Sequence, residues 1–271
     1  MTKLLSILLM LQVTVGYAQN VSFNISDSLK GEFDNFSVDN FGRIYTTKED
    51  VIRQYSSELD TLFTASLKSI RPSYIESSKS FRNLIFDYER SVIKFLDNTL
   101  TDVHDDIDLI DFDIQQPQIV CESFAGNGFW VYDGGASRLI KFDENLKQAV
   151  VTENIQAFLK STAENLIPTQ MIETSDYLYV SFPNYGVAIF DVFGTYINTY
   201  HTAPKRIDAL GKNLIVLSEL NTLEIIPMDG LLEAAYIYDI PVEAVDFAYT
   251  KQKVYFLTQK GITIGQYVLN K

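Results

Sequence analysis

From Gly31 onward, short apolar runs recur in pairs divided by polar turns, and the pairing repeats six times. The first run of each pair holds Ile44-Tyr45, Ile85-Phe86, Val131-Tyr132, Leu178-Tyr179, Leu214-Ile215 or Val254-Tyr255. Seven to nine residues later comes the second run, at 52–55, 92–95, 139–142, 187–190, 223–226 and 262–265. Such short β-branched and aromatic stretches suit strands rather than helices. The turns between them carry breakers tolerant of unusual backbone angles, as in Asp133-Gly134-Gly135, Pro183-Asn184-Tyr185-Gly186 and Gln259-Lys260-Gly261. Successive copies start 36 to 47 residues apart, the spacing of propeller blades.

Each copy divides further. An inner strand precedes the pair, at 35–38, 74–77, 119–122, 170–173, 206–210 and 244–247. An outer strand follows it, at 61–65, 147–151, 196–200 and 234–238. The pattern predicts an all-β protein, a six-bladed β-propeller with blades near 31–66, 72–103, 117–151, 168–202, 205–239 and 242–267. The last copy lacks an outer strand, and the alternating segment 20–26 has no blade of its own. It is expected to close the ring on the sixth blade, with Phe23 and Ile25 beside Ile262 and Ile264. Two stretches interrupt the rhythm. One is acidic, 100–117. The other, 152–168, reads as a short inserted helix with Thr152 at its start, Pro168 at its stop, and Ile155, Phe158, Leu159 and Leu166 at helical spacing.

Residues 1–18 read as a signal peptide, with Lys3, an apolar run from Leu4 to Leu11, and Gly16-Tyr17-Ala18 before Gln19. The chain is therefore expected to be exported, to the periplasm, the outer membrane or the outside. A formal charge of −13 argues against nucleic-acid partners, and no later run is long enough for membrane insertion. The single Cys121 excludes an internal disulfide and fits a small buried hydrophobe.

No cluster demands chemistry. The acidic stretch offers Asp105, Asp106 and Asp108 as weak metal ligands, with calcium the ion such oxygens would take, but it lacks the glycine and terminal glutamate of an EF-hand loop. Alternation of Asp106 and Asp108 with Ile107 and Leu109 equally suits an acidic edge strand. His104 and His201 are the only histidines, too few for a zinc site without other ligands. Gly126-Asn127-Gly128 lies between strands and not before a helix, so it is no phosphate loop. No cofactor and no catalytic residue is assigned. Arg71, Arg82, Arg138 and Arg206 lie near strand ends and could converge on the ring axis or simply pair with carboxylates. Phe158 could meet a partner, and Trp130 reads as core.

The run Tyr177-Leu178-Tyr179-Val180, followed by Gly186-Val187-Ala188-Ile189-Phe190-Asp191-Val192-Phe193-Gly194, resembles NHL and YVTN-type propellers, and the whole is similar to secreted propellers of the Bacteroidota. The match weakens in the last two copies, where the Phe-Asp ending is lost. That resemblance implies the fold and carries no functional residue across, because propellers host many activities. By analogy it implies a non-enzymatic scaffold with a protein partner in the cell envelope, as a monomer or a subunit of an outer-membrane assembly or secretion complex. Arg71, Arg138, Arg206 and Phe158 are then its interaction candidates. A binder of a small ligand or carbohydrate in the central channel, and a propeller lyase or hydrolase, stay open beside it.

Overall fold

A computed structural model describes residues 21–77, 81–159, 166–183, 185–251 and 253–269. The expected signal peptide lies outside them. Six four-stranded antiparallel sheets follow one another around a ring. From the axis outward, the first blade is Asn35–Val38, Ile44–Lys48, Val51–Tyr55 and Thr61–Ser66. The second is Tyr74–Glu76, Arg82–Asp87, Val92–Asp97 and Ile107–Asp108. The third is Pro117–Glu122, Gly128–Asp133, Arg138–Asp143 and Gln148–Thr152. The fourth is Gln170–Glu173, Tyr177–Phe182, Gly186–Asp191 and Tyr196–Tyr200. The fifth is Pro204–Leu210, Asn213–Ser218, Thr222–Pro227 and Tyr236–Asp239. The sixth joins Asp246–Tyr249, Val254–Thr258 and Gly261–Leu269 to the N-terminal strand Val21–Lys30.

The hydrophobic runs are nearly continuous because no face of a middle strand meets water. Alternate side chains serve opposite neighbours. Leu178 and Val180 pack with Trp130 and Tyr132 of the third blade, whereas Tyr179 packs with Ile207 and Val216 of the fifth. Each buried cluster is shared by two adjacent blades, including the sixth and the first, where Tyr255 and Ile264 meet Phe36 and Ile44. The core is thus a ring of interfaces rather than one centre.

Three expectations need correction. The N-terminal strand does close the ring, but Phe23 pairs with Tyr267 and Ile25 with Gly265, while Leu29 and Asp27 face Ile262 and Ile264. A bulge between Ile25 and Asp27 shifts the register, and Ile25 points to solvent. The second blade does not end near 103 with an acidic insertion after it: as the alternation around Ile107 suggested, Ile107–Asp108 is an edge strand, the outer one of that blade, followed by a 3-10 turn over Leu109–Phe112. Of the inserted helix the described residues hold Ile155–Leu159, the stretch 160–165 lying outside them, and Thr152 ends the preceding strand instead of capping it. Its hydroxyl donates to the Gly194 carbonyl at 2.8 Å.

Candidate functional site

The inner strands present one unpaired edge each to the ring axis, and unsatisfied N–H groups there would be costly. Side chains of neighbouring blades satisfy several of them. Ser37 Oγ accepts from the Ser77 N–H, Glu76 from Glu122, Gln170 from Ile207 and Asp208 from Tyr249, at 2.6–2.9 Å. The task needs an acceptor, and neutral and charged groups both perform it.

Along this axis runs a cavity of about 370 Å³, lined by inner-strand residues of all six blades. Tyr88, Ser73 and Pro168 place its mouth on the face where chains enter each blade. The wall is part apolar, with Phe36, Ile75, Ile119 and Phe247, and part charged, with Glu76, Arg206, Asp208 and Asp246. Arg206 Nε sits 3.4 Å from Asp246 Oδ2. Burial raises the Asp246 carboxyl above its ordinary range, with Arg206 opposing the shift. Asp208 accepts from the N–H groups of Ala209 at 2.7 Å and Tyr249 at 2.6 Å. Burial outweighs those bonds and pushes its pKa up to about 7, helped by the charge of Asp246. The Tyr74 hydroxyl, on the opposite side of the ring, is raised well above its usual value by burial and then by Glu76, with Asp246 and Asp208 contributing.

Of the arginines expected near the axis, only Arg206 lines this cavity. Arg82 and Arg138 open second and third strands, one or two positions removed from the axis, where Glu122 and Asp133 hold them at 2.6 and 3.1 Å. Arg71 is exposed, and its backbone N–H donates to Asp87. Phe158 stacks on Tyr196 with rings 6.2 Å apart. In the acidic stretch, Lys94 pairs with Asp106 at 2.5 Å and Asp102 at 3.2 Å, and Asp108 caps the 3-10 turn through Ile110 N–H. Asp105 offers its carbonyl to His104. Among the described residues no three metal-ligating side chains come together. His104 lies beside Phe95 in the second blade and His201 beside Tyr185 in the fourth, so they do not share a site. Cys121 is fully buried and its thiol is pushed well up, foremost by desolvation, which makes it a poor nucleophile.

Two features escaped the sequence reading. One is Asp208 with Asp246 on the axis; a carboxylate set among Ile207, Ala209 and Leu210 in an inner strand was the available signal. The other is Glu173, which accepts from Trp130 Nε1, Lys141 Nζ and the Phe124 N–H at 2.9, 2.6 and 2.5 Å and so ties the third blade to the fourth.

No family model and no curated protein matches the chain. Solved structures do. Virginiamycin B lyase from Staphylococcus aureus is similar at 12% identity and a TM-score of 0.61, over 93% of this chain and 100% of that one. BamB from Moraxella catarrhalis matches at 10% identity and 0.52, over 90% and 100%. BBS1N in complex with ARL6DN matches at 11% and 0.58, over 86% and 76%. At such identities the likeness establishes the propeller fold alone.

Proposed function

We propose that this propeller is a non-enzymatic protein-interaction scaffold of the bacterial envelope, serving as an accessory subunit of an outer-membrane assembly or secretion complex. The observation that carries the reading is a crescent of phenylalanines. Phe41, Phe81 and Phe124 occupy the turns between inner and second strands of three consecutive blades, and are 64%, 74% and 51% exposed. Those turns share one face of the ring, because the up-and-down order of every blade is the same. The equivalent turns of blades four to six carry Ser175-Asp176, Gly211-Lys212 and Lys251 instead. Among these inner turns the aromatic residues are thus confined to blades one to three, while on the outer turns of the same face Phe193 and Leu231 are exposed in blades four and five. Exposed aromatic clusters of this kind are characteristic of interfaces, where they anchor the partner. The fold is compatible with such work, since BBS1N carries a protein partner in its structure, and equally with the chemistry of a lyase.

Chemical cross-linking in envelopes of the native host tests the reading. A photoreactive residue at position 81 should capture one protein in stoichiometric yield, and Phe41→Glu with Phe124→Glu should abolish the capture while the ring still melts cooperatively. Equal capture from Leu231, also exposed but on an outer turn, would speak for non-specific stickiness.

A further inference from the structure

We infer that the axial cavity is a binding site for a small organic cation, a protonated aliphatic amine held by Asp208. The site is independent of the phenylalanine crescent, which lies on the opposite face of the ring.

Size comes first. A cavity of about 370 Å³ is large enough for a small molecule, and it lies inside the range of roughly 300–1,000 Å³ that ligand pockets occupy. Charge comes next. Arg206 and Asp246 pair with each other, which leaves Asp208 as a carboxylate whose partners among the described residues are two backbone N–H groups. Two bonds do not fill the acceptor capacity of a carboxylate, which offers about four lone-pair sites. Burying such a group without a cation is unfavourable. The blade-to-blade bond does not require that charge. Neutral Ser37 and Gln170 cap the neighbouring inner strands in the same way. A carboxyl on the cavity wall with acceptor capacity to spare, in a place where a neutral residue serves the fold, points to a positively charged occupant.

The chemistry of the wall narrows the class. A metal ion is disfavoured, because no three ligating side chains converge among the described residues and hard cations want six or more oxygens. An anion would find only Arg206, already engaged by Asp246. An alkylammonium, by contrast, gains Asp208 for its charge, and the apolar part of the wall, with Ile75 and Ile119 among it, suits its methylenes. The charged and titratable groups that share the cavity wall with Asp208 are Arg206 on its own strand, Asp246 from the sixth blade, and Tyr74 and Glu76 from the second. Asp208, with its pKa raised to about 7, changes charge near neutral pH.

Putrescine, with 1,4-butanediol as its uncharged analogue, is the probe, titrated calorimetrically into the mature chain. Expected are one putrescine per chain at pH 8, no heat from the diol, and at least tenfold weaker binding by Asp208→Asn. Asp229→Asn, which removes the same charge from the surface, should leave the affinity unchanged. Should Asp208→Asn fail to fold, the wild-type protein still decides: affinity should fall severalfold between pH 8 and pH 6 as Asp208 takes up its proton. Absence of binding at pH 8, equal binding of the diol, equal weakening by Asp229→Asn, or an affinity indifferent to pH would each overturn the assignment.

Discussion

Glu173 concentrates on two oxygens what most side chains spread over several partners. It is buried, and its three donors include the indole N–H of the fully buried Trp130. Removing it leaves that N–H and the Lys141 ammonium without acceptors, so Glu173→Ala should cost about 3–5 kcal/mol in urea unfolding, the scale for breaking a buried charged pair. Glu173→Gln keeps the shape and one acceptor and should cost clearly less; equal losses would mean that packing and not the network sets the value. Trp130 itself was legible as core from its aromatic-aliphatic strand, but its hydrogen bond was not, because Glu173 lies in another blade. Asp208 poses the opposite case. Its folded pKa, about 7, exceeds the ordinary 3.8, so the folded state keeps a proton that the unfolded chain has lost. This contribution to stability is therefore whole below pH 3.8, declines as pH rises from there to 7, and is absent above. Melting temperatures followed between pH 5 and 8 should fall in the wild type and fall less steeply in Asp208→Asn. The slope is the readout, since asparagine also mismatches one of the two N–H donors. Parallel slopes would remove Asp208 from the explanation.

The turns that join third and outer strands give the repeat its Phe-Asp ending a physical meaning. Asp97, Asp143 and Asp191 each accept two backbone N–H groups of the turn that follows, at 2.8–2.9 Å. In the first blade the Ser56 hydroxyl takes the same two bonds at 3.2 Å. Three residues after each comes a left-handed backbone: Leu59, Leu100, Leu146 and Gly194, with φ of 71°, 63°, 59° and 80°. Glycine adopts it freely, leucine at a cost. Leu100 is repaid by burial between the first and second blades. We expect Asp191→Ala to cost about 1–2 kcal/mol by loss of both acceptors, and Ser56→Ala about half as much, measured by thermal unfolding. Equal losses would show that the turn folds without its template. The aspartate and the glycine of this device are readable in sequence, which is why the blades were. The leucines are not, because only tertiary burial makes their conformation tolerable. The expected helix start fails for a related reason. Thr152 is a sound helix start in isolation, but a fourth-blade carbonyl and an outer strand claim it first.

At the scale of the ring, everything depends on where it is joined. Five blades are continuous in sequence, whereas the sixth borrows Val21–Lys30 from the other end of the chain. Closure was legible from a bookkeeping mismatch, three strands left at one terminus and one unplaced at the other. Its register was not, since an alternating strand fits any even offset equally well and the bulge at Ser26 then changes the parity. The observed register places Phe23 against Phe256 and Tyr267, with ring centroids 5.4 and 5.0 Å apart, and Leu29 in the cluster shared with the first blade. At the far end, the Leu29 carbonyl lies where a Cβ on Gly261 would stand, so that glycine lets the two chain ends approach. Deleting residues 1–30 should therefore do more than trim an edge. It exposes the Gly261–Leu269 edge, takes Phe23 out of the cluster between fifth and sixth blades, and takes Leu29 out of the seam between sixth and first. The melting temperature should drop by ten degrees or more, on the order of several kcal/mol for a chain of this size, and hydrogen exchange should rise first in Gly261–Leu269 and Ile44–Lys48. A synthetic peptide covering 19–31 should restore both, because the lost contacts are noncovalent and lie along one groove, whereas a peptide with Phe23→Asp should not. A truncated chain that melts and exchanges like the intact one would mean that packing between blades alone holds the circle shut.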